Sequence, residues 1–262
     1  MFYSKEYLYF IEDSKKRKLD IVIVCVEETT GHCYAKIGNI MLVNSLGEFT
    51  GVLGSPFLHK KLLEISNELF DSKENITYEN QPTDKNSGHG TAIYSLSSFF
   101  YEDDYVLLDE SITKLAEVYS LLIFGSGAHV SSLISMANMM GWKTTIIDIK
   151  KRDDILNVDE LIILNSLEDI LHMDLNNYNA SVILSHSPKT DDSYLEALLK
   201  SNVEYIGILG NKKNMQKKIK QFNLDDDKRF FGPVGLDIGG ITHQSIALSI
   251  CSQIEARKNG KI

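Results

Sequence analysis

The chain has 262 residues, 43% hydrophobic and 24% charged, with a formal net charge of −9. That is the profile of a soluble globular protein, long enough for one large or two modest domains with real cores. The acidic balance argues against nucleic acid as the main partner, because a phosphate backbone calls for a basic face.

The N-terminal stretch MFYSKEYLYFIEDSKKRKLD mixes charges into its apolar letters and has no small-residue cleavage site, so no signal peptide is expected. No run approaches the roughly eighteen apolar residues that a membrane span needs. The three cysteines, Cys25, Cys33 and Cys251, lack CxxC spacing, and their odd number suits reduced thiols and a cytoplasmic address. No partner is spaced to join Cys33 in a metal site.

Over residues 1–110, short apolar or alternating runs predict strands at 19–26, 39–43, 92–100 and 105–110. One helix interrupts them after Ser55-Pro56, where Leu58, Leu62, Ile65 and Leu69 recur at steps of three and four. Proline just inside its start suits a helix N-terminus. The polar stretch 71–90 reads as a long connection with one short strand around Ile76-Thr77-Tyr78.

From residue 118 the rhythm becomes strand then helix. Strands are expected at 120–125, 143–148, 160–164, 180–185 and 204–209, and helices at 128–141, 167–173, 191–201, 212–222 and 242–257. Alternation at this spacing predicts an α/β fold whose C-terminal half is a Rossmann-like parallel sheet with helices on both faces. The N-terminal half reads as an α+β domain. A boundary near 110–119 divides the chain into domains 1–115 and 116–262.

Residues 121–148, LLIFGSGAHVSSLISMANMMGWKTTIID, have the outline of a dinucleotide-binding unit. Gly125 allows a tight strand-to-helix turn. Gly127 lets backbone approach a phosphate, which the helix N-terminus attracts, with Ser126 between them. The third glycine of such turns falls on Val130. Asp148, at the end of the second strand, stands where an acid accepts a ribose hydroxyl. Lys150, Lys151 and Arg152 offer charge to a further phosphate or form a solvated basic patch. His129 points near a bound phosphate or caps the first helical turn. A tight βα turn with no ligand accounts for the same residues.

Ligands of such sheets sit outside the carboxyl ends of the strands. Three further segments are expected there. They are Ser185 and His186 with Asp191 and Asp192; Gly210, Asn211 and Lys212; and Gly235, Asp237, Gly239 and Gly240, followed by Thr242 as an N-cap. No His/Cys/Asp spacing specifies a metal, and neither a G-x-S-x-G nor a Walker motif is present.

The run YIGILGNKK…GPVGLDIGGITHQSIALSICSQIEA closely resembles the XdhC/CoxI family, the xanthine dehydrogenase accessory factors. FGSGAHV resembles that family's F-G-A-G-H-V turn, and LSHS its M-T-H-D turn. VEETTGHCYAKIGNIMLV is similar to its N-terminal pattern at Thr29, Gly31, Gly38, Met41, Leu42 and Val43. The resemblance covers about residues 20–65 and 120–257. It implies a cytoplasmic, usually dimeric helper without turnover of its own. Such a protein binds the molybdenum cofactor, a pterin carrying a phosphate or dinucleotide, and hands it to a xanthine dehydrogenase-type molybdenum hydroxylase.

The chain departs from the family at several places. Ser55 and Pro56 replace paired glycines, Phe57 a cysteine and His59 a glutamate, and NSGHGTAIY lacks the cysteine of a later turn. Ser245 replaces a glutamate of the last helix, and the histidine of the glycine turn is shifted by one. The missing thiolate bears on direct ligation, being the soft ligand a molybdenum centre favours. Two other readings of the same residues stay open: an NAD(P)-dependent oxidoreductase, with His186 as its base, and a dinucleotide-binding regulator.

Overall fold

The computed structural model describes residues 2–82, 90–115, 117–125, 127–150, 157–185 and 187–262, and divides into two units, Met1–Glu117 and Val118–Ile262. In the first unit, Ile21–Val26 is buried at every position, although a strand presents alternate residues to opposite faces. Both faces of its sheet are therefore covered. Five antiparallel strands run in the order β3 (Phe49–Thr50), β2 (Ile40–Asn44), β1 (Ile21–Thr30), β5 (Thr91–Phe99) and β4 (Ile76–Asn80). Val22, Val24 and Val26 pack with Leu58, Leu62, Ile65 and Leu69 of helix α2 (Pro56–Ser72). Ile21, Ile23 and Cys25 pack with Ile11 of α1 (Glu6–Lys16) and Leu108 of α3 (Leu108–Leu115).

Helix α2 starts where its sequence says it should. The Ser55 hydroxyl accepts from Leu58 N at 3.3 Å, and Pro56 occupies the first turn. Its leucine stripe follows from the three-and-four spacing, and each fully buried leucine contributes roughly 1.5–3 kcal/mol.

The expected strand at 105–110 is absent. Tyr105 and Leu107 have positive φ values of 53° and 67°, and α3 begins at Leu108. Tyr105 and Leu108 are buried, whereas Val106 and Leu107 are more than 60% exposed, so burial steps by three rather than two. Asp109 and Glu110 in the first turn also favour a helix start. Helix α1 leaves no clear mark on the sequence, because only Ile11 and Ser14 of it are buried, too few for an apolar period.

The second unit holds six parallel strands in the order β8 (Glu160–Ile163), β7 (Lys143–Asp148), β6 (Ser120–Phe124), β9 (Ala180–Ile183), β10 (Tyr205–Ile208) and β11 (Phe230–Phe231). Counted within the unit this is 3-2-1-4-5-6, with the order reversing between β6 and β9. Helices α5 (Pro188–Leu199) and α6 (Lys212–Phe222) bring Tyr194, Leu195, Leu198 and Met215 onto Leu122, Phe124 and Ile183. Helices α4 (Ala128–Met139) and α7 (His243–Lys258) pack on each other, and α4 lies on β7. The expected helix at 167–173 is a 3-10 turn, Leu167–His172, held by a capping box between Ser166 and Asp169.

Candidate functional site at the sheet's carboxyl edge

Because all six strands are parallel, every segment after a strand end reaches one edge. The turn after β6 lies at the reversal of strand order, beside the segment after β9. Leu184 N donates to Phe124 O at 2.8 Å, and Leu209 N to Ile183 O at 3.1 Å, which ties three strand ends together.

The two glycines of the turn differ. Gly125 has φ of +104°, and a Cβ on it would lie 2.7 Å from both Cα and N of Ser185. Only glycine lets the two backbones come so close. Gly127 is the N-cap of α4 with φ of +145°, and a Cβ there would meet nothing within 4 Å. The helix thus starts at an open backbone position, where amide groups and the helix dipole favour an anion.

Asp148 ends β7 and is 8% exposed, with Oδ1 accepting from Ile149 N at 2.6 Å and Lys150 N at 3.3 Å. Across the reversal, Ser185 Oγ donates to Asp191 and lies 2.8 Å from Thr190 Oγ1, which donates to Ser187 O at 3.0 Å. The ring of Tyr194 stacks on Phe124 with centroids 4.3 Å apart. Burial pushes its phenol up to about 12, and the charges of Asp148 and Asp191 add to the shift. Two carboxylates therefore flank one buried tyrosine beside the switch point.

Asn211 caps α6, its Oδ1 accepting from Asn214 N at 2.9 Å. Gly210 precedes it, with the flexible Met215 side chain close above, and Lys212 opens the helix with an exposed side chain. These residues stand two strands from β6, about 10 Å along the sheet edge. Asp237 is exposed in the segment after β11. That segment is anchored nearby, since Gly235 N donates to Gln253 Oε1 at 2.8 Å and Leu236 N to Ser249 O at 3.2 Å. Among the described residues, neither Lys212 nor Asp237 hydrogen-bonds to the glycine turn. Ser126, His186, Lys151 and Arg152, also expected at this edge, lie outside the described residues.

The structure adds a residue that sequence reasoning passed over. His243, the first residue of α7, places Nδ1 3.0 Å from Nδ1 of His129, and the two rings meet edge to face with centroids 4.4 Å apart. In such a contact one Nδ1 donates and the other accepts, so one of these two nitrogens carries a proton and the other does not. The pair spans 114 positions and arises because α4 and α7 pack on each other, α4 burying Val130, Leu133 and Ala137 and α7 burying Ala247, Ile250 and Ile254. Thr242, the expected N-cap, accepts from Ser245 N at 3.1 Å and fixes where the second ring begins. Among the described residues, no three His, Cys, Asp or Glu side chains are grouped to hold a metal ion.

With this geometry in view, the model of the XdhC Rossmann domain matches residues 121–254. A protein of Bacillus subtilis (strain 168), a probable xanthine dehydrogenase component, is 24% identical over 144 residues, which cover 51% of this chain and 41% of that relative. The match thus spans less than half of the relative's length. The crystal structure of a xanthine dehydrogenase from Bacillus halodurans shares the fold, with a TM-score of 0.78 at 20% identity over 97% of this chain and 96% of that one.

Proposed function

Because the chain belongs to the XdhC family, the xanthine dehydrogenase accessory factors, we propose that it binds the molybdenum cofactor and delivers it to a xanthine dehydrogenase-type molybdenum hydroxylase. In this reading it works as a cytoplasmic homodimer and catalyses no turnover of its own. The observation that carries the proposal is Gly127. It opens α4 at the switch point of a parallel sheet, with free space where a side chain would stand.

The residues present fit the phosphate end of such a cofactor. The turn Gly125–Gly127 and the first amides of α4 would hold the phosphate. His129 and His243 would donate to its oxygens, and Asn211 and Lys212 would meet a second phosphate of a dinucleotide form. When bound, the cofactor supplies the molybdenum centre on which the client enzyme's hydroxylation depends. This chain's part is to bind, orient and shield. Cys251, the cysteine of this domain, is 3% exposed and pushed up to about 12 by burial, so it offers no thiolate.

A nicotinamide dinucleotide is the second reading, favoured by Asp148 at the end of β7. That carboxylate already accepts two backbone amides through Oδ1, so a ribose must share it.

Titration calorimetry with NADH, NADPH and, without oxygen, isolated molybdenum cofactor separates these readings. Tight binding of the cofactor and silence for both nicotinamides is expected. The Gly127→Val variant should stay folded, its strain about 1–3 kcal/mol, yet lose the binding. A well-folded variant with unchanged affinity would show that the turn is not the site. Nicotinamide binding alone would instead support a dehydrogenase or regulator.

A further inference from the structure

The first turns of α4 and α7 each carry a histidine, and a phosphate role alone does not require the two rings to touch. His129 continues the four-residue step of buried Leu133 and Ala137, and His243 that of buried Ala247 and Cys251. Residues four apart share one helix face. Because α4 and α7 pack on each other, the two steps end side by side, each in a histidine. The backbone under both rings is held in place. Val130 beside His129 is buried, and the Thr242 cap sets the first residue of α7. His129 is half-buried and His243 exposed, so the pair is fixed in position yet open to solvent.

Two imidazoles that meet through like nitrogens can share an ion as well as a proton, and neutral imidazole is the commonest metal ligand. The Nδ1 atoms are 3.0 Å apart, while the rings stand 80° to each other with centroids 4.4 Å apart. A straight N–H···N bond would separate the centroids by the nitrogen distance plus most of a ring's width. The two nitrogens therefore do not point straight at each other. With metal–imidazole bonds of roughly 2.0–2.1 Å, nitrogens this close subtend about 95° at a common ion. A tetrahedral ion, at about 109°, needs them about 3.3–3.4 Å apart. A right angle between neighbouring ligands belongs to square-planar and octahedral ions, and imidazole suits nickel(II) among these.

We infer that His129 and His243 hold a divalent transition-metal ion of the nickel(II) type through their Nδ1 atoms, its other positions open to water or an anion. The ion takes the place of the shared proton, and each ring keeps a proton on Nε2. Among the described residues, no group of three His, Cys, Asp or Glu exists to close the coordination sphere. The dipoles of both helices oppose a bare cation at their N-termini, so the open positions favour anionic ligands. A phosphate oxygen at this edge would then coordinate the ion rather than accept from Nδ1. The inference goes beyond the phosphate site, because it needs only the two rings.

The full chain, without an added histidine tag and freed of metal by a chelator, is titrated by calorimetry with nickel(II), zinc(II) and magnesium chlorides. One nickel ion per chain should bind, more tightly than zinc, and magnesium should give no signal. His129→Gln and His243→Gln should each weaken nickel binding about tenfold or more, whereas His172→Gln, at an exposed position in another segment, leaves it unchanged. Nickel should also raise the denaturation midpoint of the parent chain and of neither ring variant. Equal midpoints without metal establish that the variants fold. The inference is overturned if nickel does not bind saturably, or if its binding survives both ring variants. Tighter binding of zinc than of nickel also overturns it, since the rings would then open to a tetrahedral angle. Cofactor binding by a chain that takes no nickel would remove the ion and leave the phosphate site standing.

Discussion

Gly125 and Gly127 stand two residues apart and answer different demands. At Gly125 the demand is internal, because a methyl group would strike the Ser185 backbone at 2.7 Å. Gly125→Ala is therefore expected to destabilise the chain by more than the roughly 1–3 kcal/mol of backbone strain alone, read as a lowered denaturation midpoint. A variant as stable as the parent would show that the β6 and β9 ends can separate freely. His59 makes a different residue-scale case, since it stands where the resembled family has a glutamate. Its Nε2 accepts the Leu53 amide at 3.0 Å, and burial holds its pKa below the ordinary 6.5. As pH falls, the unfolded chain takes up this proton first. The contribution to stability is present above about 6.5 and is lost as pH falls through the depressed folded value. His59→Gln should flatten the dependence of denaturant stability on pH in that window, and an unaltered slope would refute the assignment.

Among the elements, helix starts carry much of the local specification. Ser55, Asn211 and Thr242 each accept an amide three residues on, at 3.3, 2.9 and 3.1 Å. Thr242→Val removes the cap of α7, which positions His243 against His129. A loss of about 1 kcal/mol is expected, together with weaker anion binding at the sheet edge, measured by calorimetry with the wild-type ligand. Weaker stability with intact binding would mean that the histidine pair plays no part in the site. The segment 105–110 shows the converse, because its apolar letters read as a strand while two residues with positive φ turn the chain into α3. Pattern reading has no access to such angles when they fall on Tyr105 and Leu107 rather than on glycine.

Across the molecule, the cysteines give a clean account of accessibility. Burial pushes Cys25 up to about 11 and Cys251 up to about 12, and Cys33 alone of the three is not buried. Native protein at neutral pH should take up iodoacetamide quickly at one thiol per chain, assigned to Cys33, and at all three once denatured. Rapid native labelling of Cys251 would show that the contact of α7 with its neighbours opens readily. No helix among the described residues is long and apolar enough to cross a membrane.

The second unit was legible because its period is simple. Apolar strands such as LLIF and TTIID alternate with amphipathic helices, and strand-then-helix repetition leaves a parallel sheet as the economical solution. The glycine turn, Asp148 and the Thr242 cap were legible for the same local reason, since each acts within a few residues of itself. The Rossmann-like character and the family were thus written in short stretches. What only the tertiary structure decided are contacts between distant stretches. These are the order reversal at β6 and β9, the pairing of His129 with His243, and the stacking of Tyr78 on Tyr94 beside Phe57. Such contacts depend on which helix faces and strand neighbours meet, and no local pattern of residues encodes that meeting.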